Sequence, residues 1–167
     1  SKVNGRIIHQ IIGDHSDLDK FSLSNCFFNE NEFFREFPIL SLTELELSEC
    51  DGIDEILKKT KDSLEVLQLK NNSISLNFGQ LTELLSKFTN LKKLTLDSNG
   101  IDITGFEVFF DFIFNLEGLT ELNLVNDGVV EPFLKFLSNS HVSSPLETLA
   151  LREQKSDSTY QSIVCLA

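Results

Sequence analysis

"LKKLTLDSN", residues 91–99, places leucine at the first, fourth and sixth of nine positions and closes on asparagine. That spacing suits neither a helix face, which wants apolar residues three or four apart, nor a strand that alternates throughout. It suits a turn followed by a short strand, in which Leu94 and Leu96 point inward and the third, fifth and seventh residues point to solvent. The same spacing recurs in "LDKFSLSNC" from Leu18, "LTELELSEC" from Leu42, "LEVLQLKNN" from Leu64, "LTELNLVND" from Leu119 and "LETLALREQ" from Leu146. Successive starts are 24, 22, 27, 28 and 27 residues apart. A fixed period of this size marks stacked units, each burying its apolar face only against its neighbours.

Between the ladders the apolar period changes from two to about 3.6, as a strand-then-helix unit requires. Leu81, Leu84, Leu85 and Phe88 share one helix face, Ile53, Ile56 and Leu57 make a shorter version, and "EPFLKFL" predicts a helix beginning near Pro132 with Phe133, Leu134 and Leu137 buried. "TGFEVFFDFIFNL" is apolar almost all round, with Glu107 and Asp111 on one outward strip. A helix packed both on its own strand and on helices of neighbouring units accounts for this without any membrane. Near the start, Ile7, Ile8, Ile11 and Ile12 lie at helical spacing, with Gly13 in a C-terminal capping place.

A ladder of leucines ending in Asn or Cys resembles the leucine-rich repeat, and the likeness covers nearly the whole chain. It implies an α/β fold: a curved, horseshoe-like solenoid segment of about six repeats, with a parallel sheet on the concave face and helices on the convex face. Separations of 27 and 28 residues leave room for whole helices and resemble the ribonuclease-inhibitor-like, intracellular subfamily. At the ninth position the family places a buried asparagine that bonds to neighbouring backbone; Asn72 and Asn99 match it, Cys26 and Cys50 are accepted substitutes, and Asp127 and Gln154 depart from it. The expected organisation is one domain over 1–167, with 1–17 the helix of an upstream repeat or cap, 18–154 the six ladders and 155–167 a truncated last repeat. Having no methionine, the chain reads as part of a longer solenoid.

Composition narrows the function. Twenty-six acidic and fourteen basic residues give a net charge of −12, which repels phosphate backbones and anionic lipid, and no apolar run approaches the ~20 residues of a membrane-spanning helix. The expectation is no nucleic acid and no membrane span; oligomeric state is not legible. Three scattered cysteines, Cys26, Cys50 and Cys165, make neither a disulfide framework nor a metal motif, and favour a reducing, cytoplasmic setting. His9, His15 and His141 are isolated, and no phosphate loop, zinc helix or nucleophile elbow occurs, so the reading is non-catalytic, without cofactor or metal. The Asn71–Ser73 glycosylation sequon reads as chance.

What remains is a surface. The ladder phase exposes Lys20, Ser22 and Ser24; Glu44, Glu46 and Ser48; Val66, Gln68 and Lys70; Lys93, Thr95 and Asp97; Glu121, Asn123 and Val125; Thr148, Ala150 and Arg152. Repeat arrays use such surfaces to bind proteins. The expected partner site is therefore Glu44, Glu46, Val66, Gln68, Lys70, Lys93, Thr95, Asp97, Glu121, Asn123, Val125, Thr148 and Arg152, with Val66 and Val125 as apolar anchors. Residues 94–134 hold eight acids and no Lys or Arg, which fits a solubilising surface or a basic partner. The repeat type is similar to that of the sensing or autoinhibitory regions of intracellular innate immune receptors (NOD-like receptors). It is also similar to that of bacterial effectors acting on host proteins, of GTPase-activating proteins resembling the Ran regulators, and of purely structural scaffold arms.

Overall fold

Each of the six leucine ladders forms one strand. A computed structural model describes residues 5–15, 17–28, 34, 37–72, 74, 76–97, 99–126, 128–139, 145–154 and 160–166, with side chains for all of these except 5–7, 9, 154 and 160–166. Ser73, Asp127 and His141 lie outside the described residues, as do the side chains of Ile7, His9, Gln154 and Cys165. The strands are β1 (Lys20–Ser24), β2 (Glu44–Ser48), β3 (Val66–Lys70), β4 (Lys93–Asp97), β5 (Glu121–Val125) and β6 (Thr148–Gln154). They lie in chain order and all run parallel.

Register follows from the ladder. Leu45, Leu67, Leu94, Leu122 and Leu149 stand opposite one another along one row, and Leu47, Leu69, Leu96, Leu124 and Leu151 along the next. All ten are buried, each contributing on the order of 2 kcal/mol of apolar burial. A slip by one residue would turn every such pair to water, so the pattern admits one register. The turn before each strand repeats too. The carbonyls of Asp19, Thr43, Glu65, Lys92 and Thr120, all at the second ladder position, each accept the two N–H groups of the second and third positions of the next ladder.

Among the described residues, α1 (Gly5–Asp14) precedes the first strand, and four helices lie between later strands: α2 (Ile53–Lys59), α3 (Phe78–Leu85), α4 (Phe106–Phe114) and α5 (Val130–Asn139). Their buried faces join the inward leucines in one continuous core. Ile53, Ile56, Leu57, Leu81 and Leu85 are buried as their spacing predicts, Leu84 is half-buried, and Phe88 is buried but lies beyond the end of α3. At α3 a reciprocal cap fixes the start: the Asn77 side chain accepts from Gln80 N–H at 2.9 Å, and the Gln80 side chain accepts from Asn77 N–H at 3.1 Å. Phenylalanine rings run across three helices, from Phe78 to Phe109 at 4.9 Å, on to Phe110 at 5.6 Å and to Phe133 at 4.9 Å. Lateral ring contact explains why α4 is apolar nearly all round, and Glu107 and Asp111 are exposed on its outward strip.

Three local expectations are corrected. α1 runs through Gly13 to Asp14, so Gly13 is a helical residue and not a C-terminal cap. In α5 Phe133 is buried, whereas Leu134 and Leu137 are 51% and 39% exposed. Inward packing uses the Phe133 face alone, and among the described residues no further helix covers the outer flank of α5. Third, within the stretch 155–167 read as a truncated last repeat, residues 160–166 form β7 (Tyr160–Leu166), which pairs with β6 in the antiparallel sense. No described helix is long and apolar enough to cross a membrane.

Candidate functional site

The outward ladder positions form three rows across the sheet. The third positions run Lys20, Glu44, Val66, Lys93, Glu121, Thr148; the fifth Ser22, Glu46, Gln68, Thr95, Asn123, Ala150; the seventh Ser24, Ser48, Lys70, Asp97, Val125, Arg152. The register thus places every residue read from the ladder phase in one of three adjoining rows on the same side of the sheet.

Alternation decides the charge pattern as well. Lys20 and Glu44, neighbours in one row, meet at 2.6 Å, and Lys93 and Glu121 at 2.8 Å. Lys70 reaches diagonally to Glu46 at 2.8 Å. The bond to the Glu44 carboxylate, with its charge, holds the Lys20 ammonium above its ordinary pKa. Four cations (Lys20, Lys70, Lys93, Arg152) face four carboxylates (Glu44, Glu46, Asp97, Glu121), so the face sums to zero on a chain of net −12. These exposed pairs add little to stability, since solvent screens them. Their effect is to hold long side chains at fixed places around a central strip of short polar groups.

Two predicted contact residues are corrected. Thr95 is 4% and Val125 5% exposed. Each stands between longer neighbours, Thr95 between Gln68 and Asn123, Val125 between Asp97 and Arg152, which shade it. Val125 is therefore no free apolar anchor; Val66, half-buried, keeps that place. In the central row the Asn123 side-chain oxygen is buried and has no hydrogen-bond partner among the described residues. An acceptor left so costs about 1–3 kcal/mol until a donor reaches it.

Behind the face lies a strap of buried amides. Asn72 accepts Cys50 N–H at 2.9 Å and donates to the Leu47 carbonyl at 2.9 Å. One coil on, Asn99 accepts Asn72 N–H at 3.0 Å and donates to the Leu69 carbonyl at 2.9 Å. In the fifth coil the buried amide belongs to Asn126, which accepts Ile101 N–H at 3.1 Å and donates to the Ile101 carbonyl at 3.0 Å. Asn126 is the eighth residue of its ladder, and both of these bonds end on Ile101 rather than on a ladder leucine; the ninth, Asp127, lies outside the described residues. Cys50 fills the slot in the second coil as a thiol donor to Ser48 O at 3.2 Å, and burial pushes its pKa up to about 11. Both Cys26 and Cys50 are free and buried, as a structural thiol in this slot should be. Two acids unremarked in the sequence also act on the backbone: Asp51 accepts Phe28 N–H at 2.6 Å, and Glu153 accepts Val130 N–H, at the start of α5, at 2.8 Å.

Among the described residues no group of three or more His, Cys, Asp or Glu side chains is placed to hold a metal ion. No family model, curated protein or solved structure matches the chain.

Proposed function

We propose that the chain is a leucine-rich-repeat solenoid of the ribonuclease-inhibitor-like kind, and that the open face of its sheet, the concave side of such a solenoid, is a non-catalytic protein-recognition surface. One observation carries this reading: a neutral face on which three of the four cations sit in ion pairs with its own carboxylates and whose central row holds a buried acceptor, Asn123 Oδ1, with no donor among the described residues. Pre-paired charges need no rearrangement on binding, and a partner N–H or O–H set against Asn123 would satisfy the orphaned oxygen. A face of zero net charge is suited to a polar, near-neutral partner surface. Cytoplasmic placement belongs to the same proposal, supported by the two free buried thiols.

The test is affinity capture with the wild-type chain, with Gln68→Arg/Asn123→Arg, which puts two long side chains across the central row, and with Glu83→Gln/Glu117→Gln/Glu147→Gln as a control off the face. Partners held by the wild type and the control but lost by the double variant support the reading. Partners indifferent to the double variant, with its fold verified by circular dichroism, refute it.

A further inference from the structure

The paired charges of the sheet leave unexplained a set of bare aliphatic and acidic side chains on the helix layer. Val108 on α4 is 59% exposed and Ile103, just before it, 38%. They line an open cleft of about 780 Å³ between the first turns of α4 and α5, with Glu107, Glu131, Pro132 and Lys135 on its walls. A recess of about 380 Å³ continues along the same helices to Asp111 and Phe136. Glu107 and Val108 border both, so the two make one groove with an apolar floor. Its rim carries Glu107, Asp111 and Glu131 against Lys135, a balance of −2. None of these three carboxylates joins an ion pair among the described residues, unlike Glu44, Glu46 and Glu121 of the sheet face.

We propose that this groove docks a cationic amphipathic segment of a protein partner. Its aliphatic side chains would rest on Val108 and Ile103, with Lys or Arg reaching Glu107, Asp111 and Glu131. Charge selects that occupant. A second copy of the chain brings another −12, and anionic lipid or nucleic acid brings more of the same sign. A neutral apolar segment would cover the floor but leave the acidic rim facing no counter-charge. Basic flanks supply that charge while the aliphatic contacts supply the desolvation. The inference rests on the helix layer alone and stands whether or not the sheet face binds anything.

Fluorescence anisotropy of a short labelled peptide of Lys and Leu at helical spacing, titrated with the full chain, tests this. Glu107→Gln/Asp111→Asn/Glu131→Gln is expected to weaken binding about tenfold at low salt, three exposed charge pairs acting together. Val108→Ser should weaken it a few-fold. Glu83→Gln/Glu117→Gln/Glu147→Gln removes equal charge elsewhere and should leave affinity within about twofold, which separates docking from general attraction to an acidic protein. Equal weakening by both triple variants, equal binding of a Glu and Leu peptide, or no effect of Val108→Ser would overturn the proposal. All variants lie on exposed side chains, and circular dichroism verifies their fold.

Discussion

Removing the Asn99 side chain should unfasten the third coil from the fourth. Among the described residues three hydrogen bonds end on that amide: from Asn72 N–H at 3.0 Å, from the Asn72 side-chain N–H at 3.1 Å, and to the Leu69 carbonyl at 2.9 Å. Asn99 is 2% exposed, so water does not replace them. Asn99→Ala strands one main-chain donor and one main-chain acceptor, each costing about 1–3 kcal/mol, for a total near 3 kcal/mol. For a domain of this size that lowers Tm by about 6–12 °C. Asn99→Cys copies the residue of the first two coils. It keeps a weak donor, as Cys50 does, but offers no acceptor to Asn72 N–H, so its cost should be intermediate at about 1–2 kcal/mol. Urea unfolding followed by circular dichroism gives the ranking, and hydrogen exchange at the Asn72 amide gives the cause. Protection there should vanish in Asn99→Ala and Asn99→Cys. A loss below about 0.5 kcal/mol, or an Asn72 amide still protected, would show that the amide strap does not join the coils.

Three further outcomes follow from backbone and burial. Asn25, Glu49 and Asn71 occupy equivalent left-handed positions with φ of 55°, 54° and 50°, and only the glutamate is unsuited to them. Glu49→Asn should therefore raise stability by about 0.5–1 kcal/mol in urea unfolding. Gly105→Ala meets both a φ of 83° and the backbone of Gly79, while Gly100→Ala at φ 63° meets open space. The first should lose about 3 kcal/mol and the second about 1, and equal thermal shifts would show that the two helix starts do not touch. Cys50 is protonated in the fold up to about pH 11, whereas in the unfolded chain it ionises near its ordinary 9.0. Its contribution is thus whole below pH 9.0 and is lost as pH rises through about 11. Wild type should lose on the order of 1–2 kcal/mol more than Cys50→Ala between pH 8 and 10.5.

The sequence carried the strands because leucine at the first, fourth and sixth positions is a local statement, repeated six times and answered by one register. It carried the helix faces of α2 and α3 for the same reason. What it could not carry depends on residues a whole coil away. Thr95 and Val125 have the outward phase of Val66, yet neighbours some 27 residues off in each direction decide that they are shaded. Leu134 and Leu137 have helical spacing with Phe133, but whether that flank is covered depends on what stands beside α5. Asn126, the eighth residue of its ladder, is buried and bonds the Ile101 backbone, a partner 25 residues away that position counting within one ladder does not reveal.

Charge separates the two surfaces in a way that neither shape nor burial does. Four basic and four acidic groups cancel on the sheet face, so all of the chain's net −12 resides elsewhere, with a share on the α4–α5 groove. A field set by distant charges is screened beyond a Debye length of about 10 Å at 0.1 M salt. Association at the groove should then slow as salt is added, because its rate is steered by that field. Association at the sheet face should be nearly indifferent, since its ion pairs are closed before a partner arrives. A partner whose on-rate falls with salt in wild type, but not in Glu107→Gln/Asp111→Asn/Glu131→Gln, is assigned to the groove. One whose slow, salt-independent rate disappears only with Gln68→Arg/Asn123→Arg is assigned to the sheet.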